Sequence, residues 1–188
     1  MEKKEFQKLL LETVICSIAC DGDIDDREIT ELHKMVSHAQ YFKKFDAHEL
    51  LENMLQSVKT DGQAFLRGYF DALRQSDLPS AQEMLVLEVV LRVIQADGRI
   101  DDNEVIFLKL VRSNFNVHDE IIHQRFGNVP YLTGGSTSQF IPSNHLHDVN
   151  ALAAKIDLVA EDVNKFNGFF DGYLEKSSEL NIGGEMEQ

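Results

Sequence analysis

Two short stretches carry the residues most able to do chemistry. Asp21-Gly22-Asp23-Ile24-Asp25-Asp26-Arg27-Glu28 and Asp97-Gly98-Arg99-Ile100-Asp101-Asp102-Asn103-Glu104 share the spacing Asp-Gly-x-Ile-Asp-x-x-Glu. Carboxylates so placed are hard oxygen donors, the ligand type that calcium and magnesium prefer. No histidine or cysteine falls within either stretch, which favours those ions over zinc. The spacing matches the second half of an EF-hand loop, with Asp21 in the fifth position and Glu28 in the twelfth. The first and third positions would then fall on Ser17 and Ala19, and in the second stretch on Val93 and Gln95. None of these is acidic, so an EF-hand is excluded.

A divalent-cation site remains open, with Asp21, Asp23, Asp25 and Glu28 in the first turn and Asp97, Asp101 and Glu104 in the second. The clustered aspartates make the first turn the better candidate, because Arg99 stands where the first turn has Asp23. Glu12 and Glu88 join the set as single acids inside apolar runs. Burying a carboxylate is costly unless it is paired or bound to metal. A structural reading stands beside this one. Asp25 with Glu28, and Asp101 with Glu104, have the spacing of helix capping boxes. Acids at helix N-termini also interact favourably with the helix dipole, by about 0.3–1 kcal/mol. Glu88 has Arg92 one turn later as a candidate ion-pair partner, whereas Glu12 has Cys16 at that place.

The turns are positioned by helices. Leu9, Leu10, Leu11, Val14, Ile15, Cys16, Ile18 and Ala19 are too dense for an amphipathic stripe and predict a central, buried helix. Gly22 supplies the left-handed conformation that often ends a helix. A second helix is predicted from Asp26 to His38, and a third opens at Asp46 and Glu49. Asp61-Gly62 breaks the third, and a further helix carries Phe65, Leu66, Tyr69, Phe70 and Leu73 as far as Ser76. Ser80 and Glu83 have capping-box spacing ahead of a second dense apolar run, Leu85 to Ile94. When the chain is slid along itself until Leu9 meets Leu85, the second run falls on the first. In that register Glu12 meets Glu88, Val14 meets Val90 and Ile18 meets Ile94. A repeat of this length fits a duplicated multi-helix unit.

Beyond Phe115 the correspondence fades. A short helix is expected from Asp119 to Phe126, a Gly/Ser/Pro loop over 128–147, and a long helix from Asp148 to Lys176 with a polar tail to 188. The duplicated domain spans 1–127. The predicted class is all-α: one helical domain of two repeated multi-helix units with an added C-terminal helix.

Composition narrows the partners. The formal charge of -14 repels phosphate backbones and anionic lipids, so direct nucleic-acid binding is not expected. Cations or a protein partner fit better, and the oligomeric state is left open. No run approaches a membrane span of about 20 apolar residues. Cys16 and Cys20 lie one helical turn apart, poor disulfide geometry, and read as small buried hydrophobes in a reducing, cytoplasmic setting.

The apolar helix ending Ala19-Cys20-Asp21-Gly22-Asp23-Ile24-Asp25-Asp26-Arg27-Glu28, echoed by Gln95-Ala96-Asp97-Gly98-Arg99-Ile100-Asp101-Asp102-Asn103-Glu104, resembles TerB-like domains. These are the tellurite-resistance proteins and the related central domain of membrane-anchored DnaJ-like co-chaperones. The resemblance covers roughly Phe6 to Phe126 and implies an all-helical, internally duplicated fold. It also implies a divalent cation on the acidic residues and a place in bacterial stress-resistance or phage-defence systems.

Histidines offer weaker signals. His145 and His147 precede Asp148 and read as loop residues, while His33/His38 and His118/His123 are five apart and do not align on a helix. No serine elbow, HExxH, P-loop or dinucleotide fingerprint is present. The function expected is therefore a non-enzymatic interaction module and accessory subunit. The alternative is a phosphoryl-transfer or phosphodiester enzyme that holds two metals on carboxylates of both turns.

Overall fold

A computed structural model describes residues 1–20, 26–42, 47–96, 98–129, 131–132 and 145–154. Its helices are α1 (Lys3–Ala19), α2 (Asp26–His38), a 3-10 turn (Gln40–Phe42), α3 (His48–Gln75), α4 (Ser80–Ile94), α5 (Asp102–Ser113), α6 (Asp119–Phe126) and α7 (His145–Ala153). Among the described residues there is no strand, so the all-α class holds. None of the described helices is long and apolar enough to cross a membrane.

The two apolar runs form α1 and α4, which pack on each other at the centre. Leu10, Leu11, Val14, Ile15 and Ile18 of α1 and Val86, Leu87, Val89, Val90 and Val93 of α4 are wholly buried. A helix apolar on every side must be enclosed on every side. For α1 that enclosure comes from α2, α3 and α4. Two buried hydroxyls of α1 bond back along the helix, as hydroxyls within helices commonly do. Thr13 donates to the Leu9 carbonyl and Ser17 to the Thr13 carbonyl, each at 2.8 Å.

Three aromatic rings join α3 to α5 through the offset and edge-on contacts that such rings prefer. Phe70 of α3 meets Phe107 of α5 edge-on, with ring centroids 5.6 Å apart. Tyr69 stacks on the same phenylalanine at 5.9 Å. The predicted break in α3 is a kink, where Asp61 leaves the helical region (φ -158°, ψ 85°). Asp61 Oδ1 accepts from the Ala64 N–H at 2.8 Å. That bond caps the second half of the helix. The start of α3 differs from expectation. Ala47 is its N-cap and gives no side-chain bond, while Asp46 lies outside the described residues.

A second correction concerns Glu83. Pro79, not Ser80, is the N-cap of α4, and it gives no side-chain cap. Glu83 instead reaches the segment after α5, where its two oxygens accept the Asn116 and Val117 N–H groups at 2.9 and 2.8 Å. From the other side Arg112 donates to the Phe115 and Val117 carbonyls at 3.0 and 2.8 Å and to Asp119 at 2.9 Å. The link from α5 to α6 is thus held by its N–H groups and its carbonyls at once. In the first half the Gln7 amide donates to the Tyr41 carbonyl at 2.7 Å. In the register that sets Leu9 on Leu85, Gln7 falls on Glu83 and Tyr41 on Val117.

Of the expected long C-terminal helix only α7 is described. Val149, Leu152 and Ala153 enter the common core, against α3 and α5. The Arg67 Nε donates to the Asn150 side-chain oxygen at 2.7 Å. Residues from 155 onward, and 133–144 of the expected loop, lie outside the described set.

This packing can be probed at two places. Glu83→Ala orphans two backbone donors and is expected to lower the unfolding free energy by about 3 kcal/mol, and Glu83→Gln by about 1 kcal/mol, in urea titrations. Cys16 and Cys20 are buried and form no disulfide, and burial, then the nearby Glu12 carboxylate, pushes the Cys16 thiol well up. Neither should react with an aromatic disulfide reagent in native buffer, and both should react in denaturant; fast native labelling would contradict this packing.

Candidate functional site

The second acidic turn is described except for Asp97. As α4 ends, the Ala96 N–H bonds the Val93 carbonyl at 2.9 Å and the Gly98 N–H bonds the Gln95 carbonyl at 3.3 Å. Gly98 has φ +78°, and a Cβ there would meet nothing within 4 Å. Backbone conformation, not lack of space, is what selects glycine here.

Asp101 then takes an extended conformation and caps α5. Its Oδ1 accepts the Asn103 N–H at 2.7 Å, and Glu104 Oε2 accepts the Asp101 N–H at 2.6 Å. The expected capping box is therefore formed. Its two acids differ in setting: Glu104 is 6% exposed, while Asp101 faces solvent.

In the first turn, Asp21, Asp23 and Asp25 lie outside the described residues. Glu28, which corresponds to Glu104, sits in the first turn of α2 and is 5% exposed. Three of the four positions that denied an EF-hand are helical core, Ser17 and Ala19 in α1 and Val93 in α4, and the fourth, Gln95, is the exposed C-cap of α4.

Glu12 and Glu88 are not lone carboxylates. Glu12 pairs at 2.8 Å with Lys8, one turn earlier rather than later, and its side chain is 13% exposed. Glu88 pairs at 2.8 Å with Arg125 of α6 and is 28% exposed. Pairing at the rim accounts for both acids within their apolar runs. The expected Glu88–Arg92 pair is replaced, because α2 brings Glu31 against α4. Arg92 donates to Glu31 Oε1 through Nε at 3.0 Å and Nη2 at 2.6 Å.

The structure also corrects the reading of the later histidines. His145, His147 and Asp148 are not in a loop but open α7. Among the described residues, no three of His, Cys, Asp and Glu gather closely enough to hold a metal. Four of the predicted ligands (Asp21, Asp23, Asp25 and Asp97) lie outside that set.

Sequence reasoning missed the Arg92–Glu31 pair and the Glu83 brace. The first joins two helices distant in sequence and left no local signal. The second had one: in the repeat register Glu83 falls on Gln7, a polar residue just ahead of each apolar run.

A family model described as tellurite resistance protein TerB matches residues 10–125. The match runs from within α1 to the last turn of α6 and covers more than half of the chain. No curated protein and no solved structure matches. An all-helical core built on two apolar central helices, together with this match, makes the chain a member of the TerB tellurite-resistance family.

Proposed function

We propose that this chain is a non-enzymatic interaction module whose acidic turns bind a divalent cation, calcium or magnesium in preference to zinc. In this reading it is an accessory subunit of a bacterial stress-resistance or phage-defence assembly. The observation that supports it best is the setting of Glu28 and Glu104. Each is a glutamate less than a tenth exposed, at the same place after an acidic stretch. Glu104 commits Oε2 to the Asp101 N–H. A carboxylate has about four lone-pair sites, more than a helix cap uses, so capping and ligation are compatible. Asp101 likewise commits Oδ1 to a backbone N–H. Calcium takes about 6–8 oxygens and accepts carboxylates, carbonyls and water together. The net charge of -14 draws cations toward the surface.

Calorimetric titration of chelator-treated protein with calcium, magnesium and zinc tests this. Binding by calcium or magnesium is expected, weakened about tenfold or more in an Asp21→Asn/Glu28→Gln variant. No binding heat and no thermal shift would remove the cation. Equal affinity in wild type and variant would place the site elsewhere.

A second comparison separates capping from ligation. Asn caps as well as Asp, so in chelator Asp101→Asn should change stability by less than about 0.5 kcal/mol and Asp101→Ala should cost about 1 kcal/mol. If Asp101 is a ligand, both variants should lose part of the stabilisation that added cation gives the wild type.

A further inference from the structure

An open cavity of about 340 Å³ lies between α2 and α4, lined by Lys34, His38, Ala39 and Arg92. Its charged lining is cationic, on a chain whose net charge is -14. One carboxylate serves two of these cations: Glu31 Oε1 accepts from Arg92, and Glu31 Oε2 lies 3.4 Å from Lys34 Nζ. Glu88 also acts on Arg92, but it is paired with Arg125. Among the described residues, Lys34 and Arg92 share the one carboxylate of Glu31 as their ion-pair partner.

The donors left over are specific. Arg92 turns Nε and Nη2 to Glu31. Among the described residues its Nη1 meets only the Tyr41 hydroxyl, at 3.5 Å. That distance is the limit of a hydrogen bond. Lys34 is 61% exposed, and an ammonium has more protons than its one long contact with Glu31 engages. The carbonyl ends of α2 and α4 lie nearby, and their partial negative charge weakens any long-range pull on anions. Attraction must therefore come from direct donation to closely spaced oxygens. Guanidinium and ammonium groups together suit a phosphate.

We propose that the α2/α4 groove binds a phosphate monoester, with Arg92 Nη1 and Lys34 Nζ donating to its oxygens and Glu31 orienting the Arg92 guanidinium. The cavity volume falls at the small end of the range for small-molecule sites, about 300–1,000 Å³, and leaves space for an organic group beside the phosphate. None of its lining residues belongs to the acidic turns, and the site needs no divalent cation.

The test is an amide-shift NMR titration of the full chain in chelator, with ribose 5-phosphate and with inorganic phosphate at constant ionic strength. Saturable shifts are expected at Lys34, His38, Ala39 and Arg92. Lys34→Gln should weaken binding about fivefold or more, and because Lys34 is exposed the variant should keep the wild-type fold. Glu31→Gln keeps an oxygen for Arg92 but removes the competing charge, so it should tighten binding. Shifts that grow linearly with ligand, or that saturate equally in wild type, Lys34→Gln and Glu31→Gln, would overturn the proposal. Both outcomes are independent of the cation titration.

Discussion

The burial of α1 and α4 against each other is the constraint on which the rest of the structure depends. Apart from a narrow rim that carries Lys8 and Glu12 on α1 and Glu88 and Arg92 on α4, neither helix has polar surface to give to water, so each must be covered nearly all round. That requirement places α2, α3 and α5 about them and draws α7 into the same core. It also sorts the charges. Glu12 and Glu88 survive within the apolar runs because each stands at a rim where Lys8 or Arg125 can reach it. Along the chain, each run of carboxylates begins only after the last core residues of α1 or α4.

Two connections, the one after α2 and the one after α5, are held by side chains reaching across to backbone. Gln7 and Glu83 do this from equivalent places ahead of the two apolar runs, with opposite polarity. The amide of Gln7 donates to a carbonyl, and the carboxylate of Glu83 accepts two N–H groups. The carboxylate of Glu83 needs donors, and the backbone after α5 presents them. Arg112 then takes the carbonyls of the same segment, so its polar groups are satisfied from both sides. Such braces fix where α2 and α5 end relative to α1 and α4.

Much of this fold was legible in the sequence, for physical reasons. The density of Leu9 to Ala19 and of Leu85 to Ile94 exceeds what one helical face can hold, so burial on all sides was the consistent reading. The spans of α2 and α6, the break at Asp61 and the Asp101–Glu104 cap came from local signals, which tertiary contacts did not override. What failed was the assignment of partners. Ser80 and Glu83 have capping spacing, but two backbone donors from a distant segment compete for the same carboxylate. Arg92 is one turn from Glu88, yet Glu31 offers a closer approach from α2. Spacing reports which residues can meet along one helix. It carries no information about what a second helix brings. The α2/α4 groove was hidden for that reason, since its residues come from two helices far apart in sequence.

The acidic turns pose the same competition in miniature. As a cap, Glu104 must point back at the Asp101 N–H, and burial fixes it there. A carboxylate held in this way has already been ordered and partly desolvated by folding, costs that a mobile surface glutamate would meet only on binding a cation. Asp101 is the opposite case, because it is exposed to water. One buried, oriented acid thus stands beside one solvated acid, because the cap bond that Glu104 makes needs a fixed carboxylate whereas Asp101 caps from the surface.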